Sequence, residues 1–227
     1  MSTYRHGRHE YGQNFLTDQS IIAAITRLAV ATEGPIIEIG PGDGALTTPL
    51  ARLGRPVTAI EIDARLARRL SERLPSHVDV VSDDFLIYRL PTYPYVLVGN
   101  LPFHQTTAML RRMLHAPAWT NAILLVQWEV ARRRAGVGGA TMMTAQWAPW
   151  FEFTLHARVP SRAFTPRPGV DGGILSIYRR KHPLLPSEQR RQFHALVHRV
   201  YTGPGCGLAQ ILARNTALGS ARAAQAW

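Results

Sequence analysis

The sequence predicts an α/β fold in which a mostly parallel sheet is covered by helices on both faces, closed by an antiparallel hairpin and followed by a small helical region. Short apolar runs alternate with amphipathic segments as far as residue 134. Each run stops at glycine or polar residues, which is typical of strands buried on both faces. Two later apolar runs have no helical pattern between them, which predicts an antiparallel pair of strands.

The predicted elements follow one another without an internal repeat. Ser20 precedes apolar residues at helical spacing, so the first helix is expected to begin there. Strands are predicted at residues 36–39, 57–62, 78–81, 95–98 and 122–126, and helices at residues 45–53, 64–74, 107–114 and 129–134. The late strands are predicted at residues 151–155 and 174–178. Ser187 is expected to cap a helix to residue 200, with a second short helix at residues 208–214.

The chain length of 227 residues suits one full domain with a small appendage. We expect the α/β domain to occupy residues 1–183 and to begin with a flexible basic arm at residues 1–12. Residues 184–227 are expected to form the helical region.

The composition favours a polyanionic partner. Lys and Arg number 26 against 15 Asp and Glu, so nucleic acid is the first expectation and an anionic membrane surface the second. Lys181 is the only lysine, and Arg presents a planar fork of donors to phosphates and base edges, although a GC-rich genome also enriches Arg. Cys206 is the only cysteine, which excludes an internal disulfide and a cysteine-based zinc site; we expect no metal. No apolar run is long enough to span a membrane and residues 1–20 lack a secretory signal, so a cytoplasmic protein is expected.

A glycine-rich turn links the first predicted strand to the next helix. This glycine turn reads Glu38-Ile39-Gly40-Pro41-Gly42-Asp43-Gly44. Glycines here let the backbone bend tightly and approach a ligand closely. The third glycine comes one position earlier than in an NAD fingerprint. Together with Glu38 and Pro41, this spacing favours a ligand with an amino-acid end over one with a pyrophosphate.

Carboxylates follow the next two predicted strands. Glu61 ends the second strand, about 20 residues beyond the glycines, where a carboxylate accepts hydrogen bonds from ribose hydroxyls. Asp63 is better placed to cap the next helix. Asp84 follows the third strand and is a candidate acceptor for an adenine amino group; Asp83 is the alternative, and a capped turn is the plain structural reading of the pair. Parallel strands end at one edge, where open α/β sheets bind ligands.

The fourth predicted strand ends in Asn100-Leu101-Pro102-Phe103, here called the NLPF turn. An Asn side-chain oxygen and a nearby backbone carbonyl can accept both hydrogens of an adenine N6 amine and favour its tetrahedral form as it attacks a methyl group. Pro102 makes the turn rigid, and Phe103 offers a face to an extruded base. Taken alone, these residues are equally compatible with a strand-ending turn and a core Phe.

A Pro-, Gly- and Arg-rich loop joins the two late strands over residues 159–173. It contains Phe164-Thr165-Pro166-Arg167-Pro168. We expect an exposed Phe164 to form the second side of a base sandwich, with Arg162 and Arg167 holding phosphates. The alternative is a rigid loop with one buried aromatic side chain.

In this order the motifs resemble the rRNA adenine N6-methyltransferases, which comprise the Erm antibiotic-resistance enzymes and the KsgA-type small-subunit dimethyladenosine transferases. The resemblance covers roughly residues 11–180. It rests on Gln13-Asn14-Phe15-Leu16, the glycine turn, Glu61, Asp84, the NLPF turn and Phe164-Thr165-Pro166-Arg167-Pro168. Residues 126–134 and the Phe of the NLPF turn are more similar to actinobacterial Erm enzymes.

The resemblance implies a Rossmann-like class I methyltransferase fold, S-adenosylmethionine as cofactor and an adenine in the peptidyl-transferase region of 23S rRNA as acceptor. Such methylation blocks macrolide, lincosamide and streptogramin B binding. The implied cofactor-binding residues are Asn14, Leu16, Gly40, Gly42, Glu61, Asp84 and Asn100. The implied catalytic residues are Asn100, Leu101, Pro102, Phe103 and Phe164. We expect rRNA as the partner of a monomer, bound by Arg132, Arg133, Arg134, Arg162 and Arg167.

Three departures from the family pattern bear on RNA binding. Phe103 replaces a common Tyr, and Gly169 replaces a common basic residue. The region after Pro186 is short, so we expect residues 184–227 to be a small helical RNA-contacting domain, with a different RNA affinity or target choice and a truncated chain as the two alternatives. The alternatives are a KsgA-type enzyme acting on small-subunit rRNA and a non-catalytic nucleic-acid-binding relative. A DNA or small-molecule methyltransferase is disfavoured by Asn100 and by the net charge.

Overall fold

The structure is a computed structural model that describes residues 13–203. The strands are β1 (Phe15–Leu16), β2 (Ile36–Ile39), β3 (Val57–Glu61), β4 (Val78–Ser82), β5 (Tyr95–Asn100), β6 (Trp119–Gln127), β7 (Phe151–Val159), β8 (Phe164–Thr165) and β9 (Gly172–Arg179). The helices are α1 (Gln19–Val30), α2 (Thr47–Ala51), α3 (Ala64–Ser71), α4 (Thr106–His115), α5 (Trp128–Arg134), α6 (Met142–Trp147) and α7 (Arg190–Thr202). The predicted basic arm and the predicted helix at residues 208–214 lie outside the described residues.

The main sheet has seven strands in the order β4-β3-β2-β5-β6-β9-β7. The first five are parallel neighbours, and β9 lies antiparallel between β6 and β7. The predicted α/β fold with an antiparallel closing pair is therefore confirmed. Strands β1 and β8 form a separate two-stranded sheet that ties the start of the described chain to the late loop.

Two apolar cores lie on the two faces of the sheet. On one face, Ile36 and Val98 pack with Ile25 of α1 and Leu50 of α2. The other face packs against α4, α5 and α6, with Leu110 among its fully buried side chains. Because the central strands are buried on both faces, their sequences are continuously apolar rather than alternating, as predicted.

Three local features differ from the sequence prediction. Helix α1 is capped by Asp18 rather than Ser20: the Asp18 carboxylate accepts hydrogen bonds from the backbone N–H groups of Ser20, at 2.9 Å, and Ile21, at 3.3 Å. Ser187 lies in a short 3-10 turn (Ser187–Gln189), and α7 begins only after it. Helix α6 was not predicted, since its six residues are too few to show a helical period.

Helix α7 is held against α6 by aromatic contacts. The Arg190 guanidinium lies 5.2 Å from the ring centres of both Trp147 and Trp150. His194 packs edge-on against the same two rings. Among residues 13–203, no helix is long and apolar enough to cross a membrane.

Candidate active site

A cleft opens at the edge where the parallel strands end. Strands β2, β3 and β5 pair in register, so the residues after Ile39, Ile60 and Gly99 reach this edge together. The cleft is lined by residues 13–17, most of the glycine turn, Ile60–Ile62, Asp83–Phe85, the NLPF turn, Gln105 and Met109. Apart from Phe164, the structure therefore brings together the residues that the sequence assigned to a cofactor and to its acceptor.

The glycine turn has a backbone that only glycine adopts easily. Gly40, Gly42 and Gly44 have φ angles of +65°, +55° and +87°, in the left-handed region. A Cβ atom on Gly42 would lie 2.9 Å from the ring of Phe15. Gly42 therefore has no space for a side chain, whereas a Cβ atom on Gly40 would meet no atom closer than 3.9 Å, so Gly40 is open to close approach by a ligand.

Glu61 braces this turn from β3. Its Oε2 atom accepts a hydrogen bond from the Gly42 backbone N–H at 2.9 Å, and its Oε1 atom accepts from the Asp63 N–H at 3.0 Å. The Gln13 side-chain amide lies 3.4 Å from the same Oε1. Burial raises the pKa of Glu61, while the backbone donors partly offset that effect. A carboxylate held in this way keeps spare lone pairs for hydroxyl donors of a ligand.

Glu38 is a second carboxyl group in the cleft, and it lacks a full set of partners. It is 1% exposed, and no atom in the described part of the chain donates a hydrogen bond to its Oε2. Burial raises the pKa of Glu38 to about 8, and the nearby Glu61 acts in the same direction. A buried acceptor without a donor is costly, so this group suits a ligand that brings a positive or hydrogen-bonding group.

Asp83 and Asp84 both line the cleft beyond β4. The Asp84 carboxylate accepts a hydrogen bond from the Leu86 N–H at 2.8 Å, and the Asp83 carboxylate accepts from the Asp84 N–H at 2.7 Å. Each therefore caps a turn with one oxygen while it borders the cleft. Asp63 caps α3, as expected, through the N–H groups of Arg65 and Leu66.

The Asn100 side chain has a fixed orientation at the end of β5. Its Nδ2 donates a hydrogen bond to the backbone carbonyl of Asn14 at 2.8 Å. Because the amide nitrogen is committed to that carbonyl, the Oδ1 atom is the acceptor that remains. Leu101 anchors the NLPF turn: it is 1% exposed, and its N–H donates to the Leu125 carbonyl at 2.9 Å.

Phe103 and Phe164 meet, but not as a sandwich. Their ring centres are 6.0 Å apart and their planes are 74° apart, an edge-to-face contact. Phe164 is only 3% exposed, so the expectation of an exposed Phe164 was wrong. Its strand β8 pairs with β1, with Phe164 opposite Leu16, and this pairing draws the ring into the core. Phe103 is half-buried and borders the cleft.

The five arginines expected to bind RNA have different environments. Arg132 donates hydrogen bonds to Glu129 and to the Val137 carbonyl, and Arg134 donates to the Thr141 hydroxyl. Burial lowers the pKa of Arg134. The Arg133 side chain is 61% exposed, and its Nε lies 3.4 Å from the Glu129 carboxylate. Arg162 and Arg167 are both exposed beside the late loop.

Comparison with known proteins identifies the chain. A model of the ribosomal RNA adenine dimethylase family matches residues 4–225. The chain belongs to this family. It is 62% identical over 216 residues to an rRNA adenine N-6-methyltransferase of Corynebacterium diphtheriae, covering 95% of this chain and 85% of that protein.

Two further relatives connect the adenine dimethylase family to resistance proteins and to a solved structure. The mycinamicin-resistance protein MyrB of Micromonospora griseorubida is 51% identical over 207 residues, covering 91% of this chain and 67% of MyrB. The crystal structure of the 23S rRNA methyltransferase ErmE superposes with a TM-score of 0.82 at 37% identity, covering 88% of this chain and 84% of that one. The predicted family and the class I methyltransferase fold are thus confirmed.

S-adenosylmethionine, the cofactor of this family, suits the cleft, and the prediction of that cofactor is confirmed. It carries an ammonium group, ribose hydroxyls and an adenine amino group. The cleft offers a buried carboxyl at Glu38 whose Oε2 lacks a donor, a braced carboxylate at Glu61 and a turn with glycines at positions 40 and 42. These donors and acceptors are complementary.

Sequence reasoning left two residues of the adenine dimethylase site without a role. Gln13 approaches Glu61, and the Phe15 ring covers Gly42. Both lie in the segment Gln13-Asn14-Phe15-Leu16, which the sequence marked as a motif. Nothing in the sequence pattern shows that this segment crosses the ends of the strands, because that crossing depends on the pairing of β1 with β8.

Proposed function

We propose that this chain transfers a methyl group from S-adenosylmethionine to N6 of an adenine in 23S rRNA, which would confer resistance to macrolide, lincosamide and streptogramin B antibiotics. The observation that carries the proposal is the fixed Asn100 amide at the rim of a cleft that suits the cofactor. The similarity to MyrB and to ErmE supports the large-subunit target. We also propose that the protein acts as a monomer, and an rRNA substrate supports a cytoplasmic site of action.

The cofactor would lie across the ends of β2, β3 and β4. When bound, it supplies a methyl group that its positive sulfonium activates. The glycine turn and the backbone of Asn14 and Leu16 would hold its methionine part, with Gly40 and Gly42 allowing close approach. Glu61 would accept from the ribose hydroxyls, and Asp84 from the adenine amino group. These assignments rest on the positions of the residues around the cleft.

The acceptor amine needs help because its lone pair is delocalised into the adenine ring. Asn100 Oδ1 and a backbone carbonyl of the NLPF turn would accept the two N6 hydrogens. That contact localises the lone pair and aims it at the methyl group. The Asn14 carbonyl prevents rotation of the Asn100 amide, so the acceptor is in place before the base arrives. Pro102 and the buried Leu101 keep the turn rigid.

The aromatic pair would hold the extruded base by one face. Phe103 is the half-buried ring at the cleft, so the base would stack on it. Phe164 is buried and meets Phe103 edge-on, so it would brace Phe103 rather than contact the base. A phenyl ring supports stacking without a hydroxyl group. Phe103 is therefore suited to this role, although Tyr is common at this position in the family.

The RNA would be held mainly by exposed arginines. Arg162 and Arg167 are exposed beside Phe164, and Arg133 is exposed on α5. We assign phosphate contacts to these three. Arg132 and Arg134 are engaged within the α5–α6 region, so their role in RNA binding would be to shape that surface. The helical region from residue 184 is proposed to add RNA contacts.

A methyl-transfer assay tests the proposal. The purified protein is incubated with tritium-labelled S-adenosylmethionine and either 23S or 16S rRNA, and the modified base is mapped by primer extension. We expect label only in 23S rRNA. The Asn100→Ala variant should lose about 100-fold or more in kcat, as when a transition-state hydrogen bond is removed. Circular dichroism and thermal unfolding serve as the folding control.

Each contrary outcome has a distinct meaning. Label in 16S rRNA alone would indicate a small-subunit dimethyladenosine transferase. RNA binding without any transfer by the native protein would indicate a non-catalytic relative. Undiminished turnover by Asn100→Ala would remove Asn100 from the reaction while leaving the overall activity in place.

A further inference from the structure

Two aromatic side chains press on the start of β9 from opposite faces. A Cβ atom on Gly172 would lie 3.2 Å from the Phe164 ring, and one on Gly173 would lie 3.2 Å from the Trp128 ring. Successive residues of a strand face opposite sides of the sheet. Phe164 and Trp128 are therefore separated by little more than one strand, with Phe164 on the α1 face and Trp128 on the α5 face.

Trp128 lies at the same sheet edge as the NLPF turn. Strands β5 and β6 are parallel, and Asn100 pairs with Leu125, so Trp128 follows β6 just beyond the level of Asn100. The backbone N–H of Trp128 donates a hydrogen bond to the backbone carbonyl of Asp171 at 2.9 Å, which fixes the residue at this edge. Trp128 is half-buried and has no role in the methyl transfer described above.

The Arg158 guanidinium lies beside the Trp128 ring and is exposed to solvent. Its guanidinium carbon lies 5.4 Å from the ring centre, and its Nε donates to the Asp171 carboxylate at 2.8 Å. The Arg158 side chain is nevertheless 61% exposed. The same carboxylate accepts from the Ser161 N–H at 2.8 Å. Arg158 is thus a planar cation held against an aromatic ring, with much of its surface free.

The charge around this stack favours an anionic ligand. The negative charge of Asp171 offsets the positive charge of Arg158, and it also attracts Arg167. Arg167 donates to the Ser161 hydroxyl at 2.9 Å and is exposed. Arg162 is exposed beside it. Within residues 13–203, neither Arg162 nor Arg167 forms a salt bridge, so both charges are available to phosphates.

We propose that Arg158, which lies over the Trp128 ring, is a subsite for the RNA nucleotide adjacent to the target adenine, and this rests on the proposed function. The adjacent base would stack on the exposed face of the Arg158 guanidinium, since nucleobases stack on arginine planes as well as on aromatic rings. Arg167 would bind the phosphate between the two nucleotides. The target adenine would then lie against Phe103, and the adjacent nucleotide would lie on the α5 face of the sheet, beside Trp128.

The test combines protein variants with altered RNA. The substrate is a 23S rRNA hairpin centred on the adenine that the enzyme methylates, made intact and with an abasic site on either side of that adenine. The variants are Arg158→Lys, which keeps the charge but loses the plane, and Trp128→Phe. Arg68→Lys is the matched control, because Arg68 pairs with Glu72 on the distant α3. Calorimetry with S-adenosylhomocysteine checks that each variant is folded.

One of the two abasic hairpins, the one that lacks the stacked base, should lower kcat/KM of the wild type and of Arg68→Lys about tenfold. This is the loss expected when one base-stacking contact is removed. Arg158→Lys should lose about tenfold on the intact hairpin and then show almost no further loss with that abasic hairpin. Trp128→Phe should fall between the two. Equal discrimination by the wild type and Arg158→Lys would overturn the subsite while leaving the proposed function intact. No methyl transfer to 23S rRNA by the wild type would overturn the proposed function itself, and the subsite with it.

Discussion

Replacing Glu38 by Gln should stabilise the ligand-free protein at neutral and alkaline pH and have little effect at acid pH. The Glu38 carboxyl is 1% exposed, and its Oε2 atom receives no hydrogen bond within the described residues. Burial is the main reason that its pKa rises from 4.5 to about 8. Gln has nearly the same shape but carries no proton to lose, so it isolates the cost of ionising this group.

The sign follows from proton binding in the two states. Below pH 4.5 the carboxyl is protonated in both the folded and the unfolded chain, and no cost arises. Between pH 4.5 and about 8 the folded protein retains a proton that the unfolded chain has released. The free energy of unfolding therefore falls by about 1.4 kcal/mol for each pH unit in this window. The total is at most about 5 kcal/mol, a large share of the stability of a typical domain.

Urea denaturation followed by tryptophan fluorescence measures this difference. The wild type, Glu38→Gln and Glu188→Gln are compared from about pH 5 to about pH 9, the range over which the linkage operates. The gap between Glu38→Gln and the wild type should widen up to pH 8 and then stay constant. Glu188 is exposed, so its variant should follow the wild type. A gap that does not change with pH would refute the reasoning, because Gln would then act through packing alone.

Three further substitutions test other parts of the structure. Gly42→Ala places a Cβ atom 2.9 Å from Phe15 at a φ of +55° and should distort the glycine turn, so calorimetry with S-adenosylhomocysteine should show roughly tenfold or greater weakening; wild-type affinity would contradict the need for glycine at this position. Arg190→Ala removes a cation held between two tryptophans and should lower the free energy of unfolding by about 2 kcal/mol, whereas the exposed Arg191→Ala should change it little; equal effects would contradict the contact. Arg133→Ala should reduce the salt slope of RNA binding by about one, and an unchanged slope would exclude a phosphate contact.

The parallel part of the fold was predictable because its signals are local. Strands β2, β3, β5 and β6 are apolar runs that end in glycine or polar residues, and those ends carry Glu61 and Asn100. The order of elements then fixes which ends meet at one edge. The prediction failed where non-local pairing decides the outcome. Phe164 is buried because β8 pairs with β1. The sequence around Phe164 does not predict that pairing, because β1 lies about 150 residues earlier in the chain.

Short elements and caps were the other source of error. Helix α6 has six residues, fewer than two turns, so it leaves no periodic pattern. Ser20 and Asp18 are both good caps by residue type, and only the geometry shows that the Asp18 carboxylate receives the N–H groups. The arginines of α5 look alike in sequence, yet Arg134 is half-buried and Arg133 is exposed.

The segment 13–17 explains why the cofactor and acceptor halves of the site form one unit. The Asn14 carbonyl holds the Asn100 amide, and the Phe15 ring covers Gly42 of the glycine turn. Its strand β1 also pairs with β8, which carries Phe164. A displacement of this segment would therefore disturb the Asn100 amide, the glycine turn and the Phe164 ring behind Phe103 together. We therefore expect cofactor affinity and base positioning to be coupled through this segment, by the Asn14 carbonyl, the Phe15 ring and the β1–β8 pairing.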